Sequence, residues 1–165
     1  MKKVRIILSA FNIHGGGGFV LLSALFKNNN IQKFILDSRI KNRIKKNKKY
    51  FFIKKKIFDR LIYFHSNIKN KNASHLICFN NLPPIIKPKL KVILFIQTFY
   101  FFANILNYKF NLYTTLRIYF EKIWFRLGIA NVDEIWIQTP TMKKRLKKHL
   151  KKLNLENRII VKIMP

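Results

Sequence analysis

The sequence predicts an α/β protein with a doubly wound, mainly parallel sheet. Three observations carry this. Short Ile/Val/Leu/Phe runs recur along the chain: "VRIILSA" (4–10), "KFILDS" (33–38), "KVILFIQT" (91–98) and "VDEIWIQT" (132–139). Stretches with helical spacing separate them. The first apolar run and the helix-like "GFVLLSALF" (18–26) are joined by four consecutive glycines. Continuous apolar runs suit strands buried on both faces, and strands alternating with helices imply parallel pairing.

Each element follows from local chemistry. "VRIILSA" is the first strand, and "GFVLLSALF" is a helix stopped by "KNNN". "KFILDS" is the second strand. The charge run at 41–49, "KNRIKKNKK", reads as a solvated loop or helix face, and "YFFI" (50–53) as a third strand. Ile57, Leu61, Phe64 and Ile68 lie four, three and four residues apart, one face of a helix. "SHLICFN" (74–80) is strand-like and runs into the proline-broken "NLPPIIKPK". "KVILFIQT" is the clearest buried strand. Leu112, Leu116, Tyr119, Ile123 and Leu127 share one helical stripe, which Gly128 closes. After "VDEIWIQT", Thr139 is placed as a helix N-cap and Pro140 at the first helical position, with Met142, Leu146, Leu150 and Leu153 as the stripe. "RIIVKIMP" (158–165) reads as the last strand. No repeat or linker divides the 165 residues, so residues 1–165 form a single domain.

Composition bounds the function. There are 34 Lys and Arg against 6 Asp and Glu, a net charge of +28. Such a surface attracts polyanions such as nucleic acid, anionic membranes or phosphorylated substrates. The abundance of Lys, Asn, Ile and Phe is also what an A/T-rich genome supplies, so charge alone names no partner. A single cysteine, Cys78, excludes an internal disulfide, and its apolar surroundings read as core packing. The longest apolar stretch, residues 92–106, is too short and too interrupted for a span of about 20 residues. A cytoplasmic protein that touches a membrane at most peripherally is expected.

Candidate site residues cluster at predicted strand ends, where ligands bind in this architecture. Gly15, Gly16, Gly17 and Gly18 leave backbone amides open to a phosphate or sugar, and the helix that follows aims a partial positive charge at the same place. The dinucleotide fingerprint fails in both registers, with Val20 or Leu21 where a third small residue belongs, and no Gly-Lys-Ser/Thr follows. His14 is the one histidine beside this loop; His65, His75 and His149 show no metal spacing. Gln97, Thr98, Gln138 and Thr139 are polar groups ending two apolar strands. Asp133 and Glu134 are adjacent and face opposite ways on a strand, so they make no paired acid–base site. The lysine-rich helix at 141–153 pairs an apolar stripe with a cationic face. It either packs on the sheet or lies on an anionic membrane.

Three stretches together, "ILSAFNIHGGGGFVLLSAL", "NLPPIIKPKLKVILFIQTFYF" and "VDEIWIQTPTMKKRL", resemble the N-terminal domain of GT-B glycosyltransferases, the retaining group called glycosyltransferase family 4 or group 1. That resemblance implies transfer of a sugar from a nucleotide-sugar donor to a saccharide or lipid-linked acceptor, as in making surface polysaccharide, with no metal or other cofactor. Gly15 to Gly18 and His14 would border the donor. Asn80, Gln97, Thr98, Gln138 and Thr139 would line the acceptor cleft. The family's second domain carries most donor contacts, and this sequence stops at "VKIMP", about where the family crosses to it. A chain that works only with a C-terminal partner domain is therefore expected, whether as a truncated product, one half of a split enzyme or a fragment. The rival readings are a basic nucleic-acid-binding module and a non-catalytic membrane-associated remnant.

Overall fold

The computed structural model describes residues 4–54, 57–68, 72–98 and 110–164. Seven strands form one sheet: β1 (Ile6–Ala10), β2 (Ile31–Asp37), β3 (Tyr50–Ile53), β4 (His75–Cys78), β5 (Lys91–Ile96), β6 (Glu134–Ile137) and β7 (Ile160–Ile163). Their order is β3-β2-β1-β4-β5-β6-β7, and every neighbouring pair is parallel. Among the described residues, four helices connect them: α1 (Gly16–Leu25), α2 (Ile57–Asn67), α3 (Leu112–Gly128) and α4 (Pro140–Lys152). This is the doubly wound, Rossmann-like α/β fold that the sequence predicts.

Alternate residues of the strands feed two cores. Ile7, Leu76, Cys78, Leu94 and Ile135 meet Phe64 of α2, Trp124 and Phe125 of α3, and Leu146 and Leu150 of α4. Leu8, Ala10, Phe34 and Leu36 point the other way and meet Leu22 of α1 and Ile40 of the 3-10 segment Ser38–Arg43. Both faces are covered, which is why the strand sequences run apolar without alternation. Cys78 is fully buried, and burial pushes its thiol pKa far up, consistent with a packing role.

The α4 alternatives separate here. Met142, Leu146 and Leu150 are buried against the sheet, so its stripe is inward and its lysines form the outer side. The cap works as expected: Thr139 Oγ1 accepts from the Met142 N–H at 3.2 Å.

Helix α3 departs from the expected stripe. Its buried residues are Ile118, Trp124, Phe125 and Gly128, while Leu112, Leu116, Tyr119, Ile123 and Leu127 are exposed. The helix is apolar on two sides, and the side bearing Trp124 wins the sheet. The Trp124 indole N–H donates to the Pro83 carbonyl at 2.7 Å. A Cβ on Gly128 would come within 2.8 Å of Pro83 Cγ and 2.9 Å of the Pro84 carbonyl, so the helix end and the proline loop touch directly.

No helix among the described residues is long and apolar enough to cross a membrane. Of the apolar stretch at 92–106, positions 99–106 lie outside the described residues, as does the side chain of Ile57 in the expected α2 stripe. Phe64 and Ile68 of that stripe are buried, and Leu61 packs against the same core.

Candidate functional site

The strand order runs outward in two directions from β1: β2 and β3 lie on one side of it and β4 to β7 on the other. In open α/β sheets ligands ordinarily bind at such a switch point, outside the carboxyl ends of the strands, so the loops after β1 and β4 frame the candidate crevice.

The glycine run forms the crevice's first wall, and it is more helical than the sequence suggests. Three of the four glycines make the first turn of α1, with Gly15 as an extended N-cap. This is tolerated because first-turn amides have no partners inside the helix. No side chain caps them, and no acidic residue sits in that turn. A Cβ added at Gly15, Gly16 or Gly17 would meet nothing within 4 Å, so the backbone faces open space. Gly16 has φ +62°, a conformation that favours glycine. Gly18 differs: a Cβ there would lie 2.8 Å from Gln97 Oε1, so the end of β5 packs directly against the start of α1.

The second wall is cationic, and the sequence reading missed it. Asp37, the last residue of β2, is fully buried. Its Oδ1 accepts from the Arg39 amide at 2.9 Å and Arg39 Nε at 2.8 Å, and its Oδ2 from Arg39 Nη2 at 2.6 Å. Arg60 of α2 adds Nη2 at 3.4 Å from the same Oδ2 and also donates to Asn12 Oδ1. Burial would raise the Asp37 pKa, but the hydrogen bonds and charge of Arg39, with the charge of Arg60, outweigh it and hold it below the usual carboxylate range. Arg60 is buried too; desolvation lowers its pKa against the pull of Asp37, and its Nε has no hydrogen-bond partner.

His14 joins this group. Arg39 Nη1 lies 3.1 Å from His14 Nε2, Arg43 Nη1 donates to the His14 carbonyl at 2.6 Å, and His14 Nδ1 is 3.3 Å from the Asn12 carbonyl. Arg43 also stacks over Phe19 of α1, 4.2 Å from the ring centroid. Two guanidinium groups, Arg39 and Arg60, therefore hold one buried carboxylate, and a third, Arg43, stands beside them on the His14 carbonyl and Phe19. The one sequence hint was spacing: Asp37 follows the glycines by about the 20 residues at which dinucleotide folds place a ribose-binding acid. Here the carboxylate is committed to arginines, so it organises cations instead of contacting a sugar hydroxyl.

The floor is polar and incompletely satisfied. Asn80, just past β4, is 1% exposed, and neither end of its amide has a hydrogen-bond partner; Ser9 Oγ in β1 is likewise buried without one. The Phe79 N–H donates to the Ser9 carbonyl at 2.7 Å, which keeps these segments adjacent. Asn81, at φ 62°, accepts from the Gln97 amide through Oδ1 at 2.6 Å, and Gln97 Nε2 donates to the Phe79 carbonyl at 3.4 Å. Buried polar groups are nearly always paired, so these unpaired atoms beside the strand ends are exceptions.

Gly15 to Gly18, His14 and Gln97 thus come together, with Asn80 in the floor between β1 and β5. Thr98 follows Gln97 and is half-buried. Gln138 and Thr139 do not join them. They end β6, three strands and about 14 Å from β1 along the sheet edge, and the Thr139 hydroxyl serves α4.

No family model matches this chain, and no curated protein does either. The architecture and the crevice are thus what its residues say about function.

Asp133 and Glu134 engage different partners. Asp133 takes Lys87 and the Val92 amide, while Glu134 is held by Lys91, Lys162 and the Trp136 indole. His65 is structural: its Nδ1 is 2.8 Å from the Leu61 carbonyl, and its Nε2 accepts from the Ile85 amide at 3.1 Å. Among the described residues, no group of three or more His, Cys, Asp or Glu is arranged to hold a metal ion.

Proposed function

We propose that this chain is the acceptor-side, Rossmann-like domain of a GT-B-type retaining glycosyltransferase, and that the crevice between β1 and β4 takes the anionic part of a nucleotide-sugar. The observation that carries the reading is the pairing of uncapped first-turn amides at Gly16 to Gly18 with the Asp37-organised arginines. Helix-terminal amides and guanidinium groups bind phosphate oxygens by charge-assisted hydrogen bonds. Arg39 and Arg43 are exposed enough to reach a ligand, while Asp37 and Arg60 are locked beneath them.

In this reading the chain positions and neutralises a diphosphate, and Asn80 and Gln97 meet sugar hydroxyls. Charge developing on the departing diphosphate would be stabilised by dipoles and cations fixed before the reaction begins. By the resemblance in sequence order the remaining donor contacts would lie on a second domain, so weak binding of donor is the expected behaviour of these residues by themselves.

Saturation-transfer NMR with UDP- and GDP-sugars tests this. Signal transfer to the nucleotide-sugar that is lost in Arg39→Ala/Arg43→Ala supports the reading. Equal transfer in that variant, or none in wild type at millimolar ligand, overturns it.

A second reading has its own support. Lys41, Lys46, Lys48 and Phe52 line an open recess, and an aromatic among lysines suits single-stranded nucleic acid. The large rings Phe11, Phe34, Phe64 and Phe125, however, are fully buried in the cores, which leaves few for stacking. Tight, steeply salt-dependent binding of an oligonucleotide would favour it.

A further inference from the structure

We propose that the outward face of α3 docks on an anionic phospholipid bilayer. Leu112, Leu116, Tyr119, Phe120, Ile123 and Leu127 recur at helical spacing and are exposed, from 41% at Ile123 to 76% at Leu112. A sheet-packing helix ordinarily turns a polar side to water. This one buries Ile118, Trp124 and Phe125 and presents a second apolar stripe over a helix about 25 Å long. A contiguous exposed stripe of this kind marks an interaction surface.

Charge selects the occupant. The chain carries +28, and two of its six acidic residues, Asp37 and Glu134, are buried. A second copy would bring the same charge and repel. A polynucleotide would satisfy the cations and leave the apolar stripe in water. An anionic bilayer satisfies both, because leucines and aromatics enter the headgroup boundary while cations meet lipid phosphates. Arg117 and Arg126 stand exposed on the same helix. The inference does not depend on sugar transfer.

Vesicle flotation of the full chain tests it, using phosphatidylcholine with and without phosphatidylglycerol at low and high salt. Leu116→Ser/Tyr119→Ser/Ile123→Ser alters exposed positions only, and circular dichroism verifies its fold. Lys143→Gln/Lys147→Gln/Lys151→Gln is the charge control on α4. Wild type is expected to float with phosphatidylglycerol vesicles and to keep part of that binding at high salt. The α3 variant loses the salt-resistant part, with partitioning down about tenfold, while the α4 variant loses only salt-sensitive binding. Three results would overturn the proposal: no flotation of wild type, flotation of the α3 variant equal to wild type, or a concentration-dependent dimer that the α3 substitutions abolish and vesicles do not displace.

Discussion

Asp37 and Arg39 form a fork across two residues of chain: the guanidinium reaches both carboxylate oxygens, at 2.8 and 2.6 Å, while the Arg39 amide caps the same carboxylate at 2.9 Å. The carboxylate is fully buried, and Arg60 approaches it from α2. One side chain therefore ties the end of β2, the 3-10 segment and α2 together and fixes where the crevice cations stand.

Replacing Asp37 should be costly. Asp37→Asn leaves the buried Arg60 without its counter-charge, and losing one partner of a buried ion pair costs about 3–5 kcal/mol. Urea unfolding should show a lower midpoint with unchanged slope. Arg43→Ala, at an exposed position, should change stability by less than about 0.5 kcal/mol.

The glycines should respond unequally. Gly17 has room for a methyl inside a helix, so Gly17→Ala should stabilise by about 0.4–1 kcal/mol. Gly16 is at φ +62°, where Gly16→Ala should cost about 1 kcal/mol. Gly128→Ala forces a Cβ against Pro83 and the Pro84 carbonyl, and should destabilise by about 1–3 kcal/mol. Thermal melts of the three variants check the order.

Glu134 should give an acid-sensitive share of stability. Its burial raises the pKa, but hydrogen bonds from Lys162, Trp136 and Lys91 outweigh that and hold it at about 2, against 4.5 for the free group. A depressed folded pKa means this share is complete above pH 4.5 and is lost as pH falls toward 2. Asp37 and Asp133, also depressed, act in the same direction. Chemical denaturation from pH 6 to 3 should therefore show a shallower acid loss in Glu134→Gln than in wild type.

Cys78 should resist modification. Its thiol is fully buried with a strongly raised pKa, so a thiol-reactive dye should label it only on unfolding.

Much of the architecture was legible because burial leaves a local mark. The runs around β5 and β6, and the Thr139–Pro140 helix start, each state their structure within a few residues. Helix α3 was legible as a helix but not in its orientation. Leu112 to Leu127 and Ile118 to Phe125 are both apolar stripes, and periodicity cannot say which one a sheet will take. The cationic half of the crevice was not legible. Arg60 reaches Asp37 and Asn12 across 23 and 48 residues, a coincidence made by the parallel crossover and not by spacing. The glycine loop was visible because its signal is contiguous.

The central claim is that the α1 amides and the Asp37-anchored arginines bind one anionic group together. The most direct measurement is an amide-resolved NMR titration of the labelled chain with UDP- and GDP-sugars and with pyrophosphate. The account predicts saturable shifts at Gly15 to Gly18, Arg39 and Asn80, weakened about tenfold or more by Arg39→Ala/Arg43→Ala. Shifts confined to other surfaces, or a glycine loop unmoved at saturating ligand, would contradict it.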